Sequence, residues 1–103
     1  MAGVGRKARA IQLHPDDNVA TLVATCEAGD SVRIEGPSTP TSAVREVVAA
    51  SRIPAGHKIA IAQIEAGEHV LKYGVTIGRA TKPIMIGALA HTENIASTFS
   101  PVE

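Results

Sequence analysis

The feature that most constrains this chain is a short sequence phrase that occurs four times. Each copy has an apolar residue, any residue, Ala, Gly, two further residues and a second apolar residue; the last copy has Ile in place of Ala. The copies occupy residues 26–32, 53–59, 64–70 and 84–90. Their glycines are 27, 11 and 20 residues apart, which excludes a solenoid of fixed period. Because glycine permits a positive φ before β-branched residues, the phrase predicts one turn type reused in a compact, mainly β chain.

Length and charge exclude several classes of protein. A chain of 103 residues is predicted to form one domain. Ten basic and ten acidic residues balance, so no broad field attracts nucleic acid or a membrane surface. No apolar run is long enough to span a bilayer, and no apolar secretory core follows the basic N-terminus. The basic residues Arg6, Lys7 and Arg9 are expected to lie in a frayed N-terminal arm.

Cysteine and aromatic content give two further expectations. Cys26 is the only cysteine, so an internal disulfide is excluded and a cytoplasmic location is expected. The aromatic residues are Tyr73 and Phe99 alone, so Ile, Val, Leu and Ala must build the core. A short chain with such small core residues is marginally stable by itself. We therefore expect a partner, which is either a second copy or a larger chain.

One short helix is predicted near residues 18–28. Pro15 and the acidic residues after it indicate a turn, and Asp17 or Asn18 can cap the helix that follows. An apolar stripe with helical spacing then runs along Val19, Leu22, Val23 and Cys26. Cys26 is accordingly expected to face the core, and Gly29 to end the helix.

The remaining elements are predicted to be strands within a domain at 10–95, between the arm at 1–9 and a tail at 96–103. Apolar alternation or β-branched runs indicate strands at 10–13, 31–35, 58–64, 70–73, 75–77 and 84–90. The segment 43–51 is compatible with a helix or a strand. We favour a strand because its neighbours are strands.

Four histidines are candidates for chemistry, although none lies in a motif with metal-ligand spacing: His14, His57, His69 and His91. Taken singly, each is better explained as solvated or bonded to backbone. His14 nevertheless opens a cluster with Asp16, Asp17 and Asn18, and His91 opens another at 91–94. Imidazole with carboxylate suits iron, manganese or zinc. Helix capping explains the first cluster equally well, and the sequence does not show whether the clusters meet.

The segment Lys72-Tyr73-Gly74 is a second candidate. Lys can hold a carboxylate, and Tyr can transfer a proton if its pKa is lowered. Strand alternation places Lys72 and Tyr73 on opposite faces unless Gly74 distorts the pleat. On chemistry alone we favour Tyr73 as the aromatic core anchor and Lys72 as solvated. Arg79 could bind an anionic ligand, although a lone Arg is usually a surface residue.

Four ordered motifs resemble a known family: 14–19 (His-Pro-Asp-Asp-Asn-Val), 56–60 (Gly-His-Lys-Ile-Ala), 72–80 (Lys-Tyr-Gly followed by Ile-Gly-Arg-Ala) and 91–94 (His-Thr-Glu-Asn). Together they resemble the small SAF-type domain of altronate and galactarate dehydratases, which also occurs as the small subunit of sulfolactate sulfo-lyase. The resemblance covers about residues 11–94. It implies a β-clip fold with twisted hairpins, beside a larger catalytic chain that acts on a hydroxylated sugar acid.

The resemblance also implies site residues. The catalytic set is His57, Lys72, Tyr73 and His91. The substrate-binding set is Asn18, Gly74, Arg79 and Asn94. The metal-binding set is His14, His91 and Glu93, for Fe²⁺ or another divalent ion shared with a large subunit. One departure stands out, because Glu93 occupies the second position of a family motif that usually reads His-x-His-Asn. Glu93 can replace that His as a ligand or base, or the activity is altered or absent.

Three functions remain open from the sequence. The first is a small subunit or accessory domain of a dehydratase-type lyase that eliminates water from a hydroxylated carboxylic acid and is active only with a large subunit. The second is the small subunit of a sulfolactate sulfo-lyase, which releases sulfite. The third is a non-catalytic module that binds carbohydrate or protein, or that associates with itself.

Overall fold

The computed structural model of the chain describes residues 7–36 and 46–97. These residues form nine strands and no helix, which confirms the mainly β class. The strands are β1 (Lys7–Ile11), β2 (Val19–Leu22), β3 (Ser31–Glu35), β4 (Glu46–Val48), β5 (Lys58–Ala60), β6 (His69–Lys72), β7 (Val75–Ala80), β8 (Leu89–Ala90) and β9 (Ile95–Ser97). Within these ranges, therefore, no helix is long and apolar enough to cross a membrane.

The strands form two sheets. A six-stranded sheet has the order β4-β3-β1-β2-β5-β8, and a three-stranded sheet has the order β6-β7-β9. The β1–β3 pair is parallel and the other pairs are antiparallel. The edges of the larger sheet approach one another where the Ala50 N–H donates to the Gly87 carbonyl at 2.9 Å. This contact covers backbone groups that an open edge would expose.

The repeated phrase forms four β-turns of one kind, as the sequence predicts. Their glycines have φ between 85° and 92°, at Gly29, Gly56, Gly67 and Gly87. In each turn the residue after glycine donates to the carbonyl three residues earlier, over 3.0–3.1 Å. This is the geometry of a type II turn, which requires a positive φ at its third position. Each of these glycine N–H groups donates to a carbonyl of another segment, so the turns also join the fold together.

The four turns are joined in two pairs by isolated β-bridges. Cys26 pairs with Ile53, and Ile64 pairs with Ile84. Each bridge has two reciprocal backbone hydrogen bonds, at 3.0 and 3.0 Å in the first and 2.9 and 2.7 Å in the second. The apolar residue that opens each phrase is therefore fixed against the opening residue of another copy.

Each bridge lies in its own hydrophobic core. The first core contains Ala10, Ala20, Leu22, Cys26, Val32, Ile34, Val47, Ala49, Ile53, Ile59 and Ile61. The second core contains Val19, Ala60, Ile64, Val70, Ala80, Ile84 and Ala90. Ile59 and Ala60 are neighbours on β5 and face different cores, so this strand separates the two. Each fully buried Ile contributes roughly 1.5–3 kcal/mol of transfer free energy.

The helix predicted near 18–28 is wrong. Its first residues form β2, which pairs with both β1 and β5. Val23 belongs to the predicted apolar stripe, yet it is 48% exposed. The β-branched residues Val19 and Thr21 suit an extended segment between two strands, so tertiary pairing outweighs the helical spacing. The expectation that Cys26 faces the core is confirmed, since Cys26 is fully buried.

Several element boundaries also differ from the prediction. β1 begins at Lys7, inside the predicted arm, and β9 extends to Ser97, inside the predicted tail. The predicted strands 58–64 and 84–90 are interrupted. A bend at 61–62 separates β5 from the bridge residue Ile64, and a turn separates the bridge residue Ile84 from β8. The strand favoured at 43–51 is present as β4, and residues 37–45 lie outside the described part. The division into arm, domain and tail remains a prediction.

Candidate functional site

The pairing of β5 with β8 brings two of the predicted catalytic residues together. Lys58 is opposite Ala90 in this antiparallel pair, so His57 and His91 are the next residues in register. Their ring centroids are 4.9 Å apart and the rings are tilted by 54°. His57 is half-buried and His91 is exposed. Two imidazoles thus lie side by side at the end of the sheet, although 34 positions separate them in the chain (91 − 57).

Lys58 is a candidate that the predicted set omits. It lies beside a cleft of about 220 Å³ that is lined by Lys58, Ile77, His91, Thr92, Ile95 and Ser97. Burial lowers the pKa of Lys58 below its ordinary value of 10.5, and the charge of Lys72 lowers it further. Strand alternation places Lys58 on the same side of β5 as Ala60, which is the side of the second core, so the alternation could have identified Lys58 as a partly buried lysine.

Tyr73 and Gly74 form the two-residue connection between β6 and β7. Both have positive φ, 59° for Tyr73 and 75° for Gly74, which is the pattern of a type I′ hairpin turn. The turn interrupts the strand alternation, so the Lys72 ammonium lies 5.1 Å from the centroid of the Tyr73 ring. Tyr73 is 61% exposed, so its interpretation as the aromatic core anchor is wrong.

Asp17 fixes this hairpin turn. Asp17 is only 6% exposed. Its two carboxylate oxygens accept the N–H groups of Tyr73 at 3.1 Å and Gly74 at 2.8 Å. The His14 ring covers the same turn, since a Cβ at Gly74 would lie 2.7 Å from it. Asp17 therefore holds a turn distant in sequence, and its interpretation as a helix cap is wrong because the helix is absent.

Asn18 and Asn94 make hydrogen bonds to backbone with both ends of their amides. The Asn18 oxygen accepts the Leu71 N–H at 2.8 Å, and its nitrogen donates to the His69 carbonyl at 3.0 Å. The Asn94 oxygen accepts the His91 N–H at 2.8 Å, and its nitrogen donates to the Leu89 carbonyl at 2.8 Å. Each amide thus positions a segment that carries candidate residues. A substrate-binding role for either Asn remains a prediction.

The predicted metal ligands have different neighbours. His14 lies on the hairpin turn and its Nδ1 accepts the Asp16 N–H at 3.1 Å, whereas His91 lies against His57. Glu93 is exposed on the turn at 91–94. Across residues 7–36 and 46–97, no three His, Cys, Asp or Glu side chains are arranged to hold a metal ion. These residues therefore do not make a metal centre by themselves, and a metal shared with another chain remains a prediction.

Arg79 and His69 are not among the residues that line the cleft; they are cross-strand partners with exposed side chains on β7 and β6. The solvated interpretation of His69 agrees with this exposure. A larger and more open depression of about 380 Å³ is lined by Asn18, Gly67, Glu68 and His69. We place the candidate site in the smaller cleft, because a desolvated Lys and a His meet there.

Comparison with known proteins gives consistent results. The family described as the altronate/galactarate dehydratase SAF domain matches residues 8–98. Altronate dehydratase of Escherichia coli (strain K12) is 33% identical over 93 residues, and that of Bacillus subtilis (strain 168) is 29% identical over 93 residues. Each match covers 90% of this chain and 17% of the enzyme. The chain therefore spans less than a fifth of these relatives.

A shorter relative is similar over part of the chain. The (2R)-sulfolactate sulfo-lyase subunit alpha of Paracoccus pantotrophus is 38% identical over 48 residues, which are 47% of this chain and 72% of that subunit. Sequences similar to this chain thus occur both inside long enzymes and in a protein named as a subunit.

Proposed function

The chain belongs to the altronate/galactarate dehydratase SAF domain family, and from this premise we propose that it is the small subunit or accessory domain of a lyase. The reaction is the elimination of water from a hydroxylated carboxylic acid. A larger chain supplies the remainder of the active site. The observation that carries the proposal is the contact of His57 and His91 beside the cleft that contains Lys58.

Four basic side chains, which we call the basic cluster, support an anionic substrate: His57, Lys58, Lys72 and His91. Lys58 and Lys72 are half-buried and close enough for the charge of one to lower the pKa of the other. In the described ranges, no acidic side chain forms an ion pair with either Lys. A carboxylate in the cleft would relieve this repulsion and balance the charge.

The same residue types suit the elimination. A base removes the proton from the carbon next to the carboxylate, and the electrons of that C–H bond pass into an enediolate. The β-hydroxyl then leaves with a proton as water, and the resulting enol becomes a 2-keto acid. A Lys ammonium stabilises the enediolate, while a neutral His or a Lys of lowered pKa accepts the proton.

A hybrid enzyme tests this function. The 93 aligned residues of the Escherichia coli altronate dehydratase are replaced by this chain, and altronate dehydration is measured. We expect turnover by the hybrid and none by the isolated chain. Lys58→Met in the hybrid should remove most of the turnover, whereas the exposed control Lys82→Met should retain it.

Two results would contradict the proposal. One is turnover of altronate by the isolated chain, since no larger chain would then be required. The other is a folded hybrid that binds hydroxy acids but does not turn them over, which would identify a binding module instead.

Sulfite release is the second candidate function. The similarity to the sulfo-lyase subunit favours it, with 44% identity over 43 residues to the protein of Chromohalobacter salexigens, 42% of this chain and 46% of that subunit. A sulfonate is also an anion, so the basic cluster suits both substrates. Sulfite release from sulfolactate, measured with this chain in place of the alpha subunit, separates this function from dehydration.

A further inference from the structure

An exposed apolar surface lies at the end of the β6–β7 hairpin. Leu13, Tyr73 and Val75 are 40%, 61% and 53% exposed. Leu13 precedes His14, and Tyr73 and Val75 flank Gly74, on which the His14 ring lies. We call these three residues the hairpin-tip surface. Exposed large apolar residues gathered in this way are typical of a surface that contacts another macromolecule.

The hairpin-tip surface is held in one conformation. Tyr73 has a left-handed backbone, which costs a residue with a side chain roughly 1–2 kcal/mol. The two hydrogen bonds from the turn to Asp17 and the Lys72 ammonium over the ring maintain this geometry. A rigid Tyr loses little conformational entropy on binding, and Tyr is enriched among the residues that dominate interface energies.

We propose that the hairpin-tip surface is the docking site for the larger lyase chain. This inference rests on the proposed function, which requires such a chain. Tyr73 is next to Lys72, whose charge acts on Lys58 in the lining of the cleft, and Leu13 is next to His14. A chain that covers the hairpin-tip surface would therefore lie near the basic cluster and can complete a shared site there.

A second exposed apolar group offers a matched control. Val48, Met85 and Ile86 are 62%, 55% and 43% exposed and lie together, because Gly87 packs on the Val48 carbonyl. This group is similar in size to the hairpin-tip surface, and its residues are not next to any member of the basic cluster. Val48 and Val75 are both exposed strand residues, so the same substitution at each compares the two surfaces directly.

The single tyrosine makes the test specific. Tyr73 is the only Tyr in the chain, so labelling with 3-fluorotyrosine gives one ¹⁹F resonance from the hairpin tip. The unlabelled partners are the Escherichia coli altronate dehydratase without its 93 aligned residues and the remaining part of the Paracoccus pantotrophus sulfo-lyase without its alpha subunit. The second partner is a natural subunit, which guards against misfolding of the first.

We expect complex formation by sedimentation together with a shift or broadening of the ¹⁹F line. Val75→Glu should weaken association about tenfold or more, while Val48→Glu should leave it unchanged. A complex that leaves the ¹⁹F line unchanged, or that is lost with Val48→Glu alone, overturns the docking site and leaves the proposed function intact. A ¹⁹F line that changes with the concentration of the chain alone assigns the surface to a second copy and overturns the proposal. Failure of both partners to bind overturns the proposed function as well.

Discussion

The turns at 27–30 and 54–57 have the same backbone conformation, but the side chains of their fourth residues make different contacts. Both have glycine at the third position, and both return a hydrogen bond from the fourth residue to the first. In the turn at 27–30, the Asp30 carboxylate also accepts the N–H of Glu27 at 2.8 Å. In the turn at 54–57, the first residue is Pro54, which has no N–H, and the fourth is His57.

Because Pro54 has no N–H, the fourth residue of this turn does not have to accept a hydrogen bond from the first. The turn at 65–68 follows the acidic form, because the Glu68 carboxylate accepts the Glu65 N–H at 2.7 Å. The turn at 54–57 has no such donor to satisfy, and its fourth residue instead contacts His91. The comparison teaches how a repeated turn can carry a candidate functional residue. Where Pro54 removes the N–H of the first turn residue, the fourth position needs no carboxylate and holds His57 instead.

Substitution of the fourth residue in each turn should separate function from stability most strongly. His57→Ala in the active complex should lower kcat by about 100-fold or more, if His57 transfers a proton. Asp30→Ala should leave kcat within about threefold, because Asp30 is not among the residues that line the cleft. The measurement is kcat on altronate for both variants. Equal losses of kcat would show that the two turns do not differ in function.

The glycines should differ in their tolerance of a methyl group. A Cβ at Gly87 would overlap the Val48 carbonyl, whereas a Cβ at Gly29 would meet nothing within 4 Å. Gly87→Ala should lower the unfolding free energy by about 3 kcal/mol, and Gly29→Ala by about 1–2 kcal/mol from its positive φ alone. Urea denaturation measures both, and similar values would mean that the contact at Gly87 yields easily.

The acidic fourth residues should have a measurable structural role. Asp30→Ala leaves the Glu27 N–H without its carboxylate and should cost about 1–2 kcal/mol of unfolding free energy. Glu68→Ala should cost less, because Glu68 is exposed and water replaces its carboxylate. Thermal or urea unfolding of both variants checks the order. The reverse order would contradict the role given to burial.

Tyr73→Asn should raise stability while weakening docking. Asn tolerates the left-handed backbone, and Asn-Gly is a preferred type I′ pair, so a gain of about 0.5–1 kcal/mol in unfolding free energy is expected. The same variant removes the ring and should bind the larger chain more weakly. Loss of stability without loss of binding would show that Tyr73 serves the domain itself.

The pH dependence of stability should report on Lys58. Its pKa is lowered in the folded chain, so between that value and 10.5 the unfolded chain binds more protons and the unfolding free energy rises with pH. Burial raises the pKa of Cys26 above 9.0, which lowers stability above that pH and opposes the rise. Lys58→Met should remove only the rise, as measured by urea denaturation from pH 7 to 10.5. An identical pH profile for the two proteins would exclude the desolvation of Lys58.

The glycine turns could be predicted from the sequence, whereas the candidate site could be predicted only in part. The turn conformation can be predicted from the Ala-Gly phrase alone, because few residues other than glycine accept the φ of Gly29 or Gly56. The contact of His57 with His91 depends on the register of β5 and β8, which no local pattern specifies. The predicted helix failed for a related reason, since the apolar spacing from Val19 onward fits a helix and only pairing with two strands decides against it.

The glycine corners set where this domain resists change over generations. A Cβ at Gly29, Gly56 or Gly67 would meet nothing within 4 Å, whereas one at Gly87 meets backbone. The positive φ of all four glycines resists a side chain, so the first three corners differ from the fourth in space and not in backbone. The fourth corner also closes the larger sheet. Descendants of this domain should therefore keep glycine at every corner, and most strictly at the fourth.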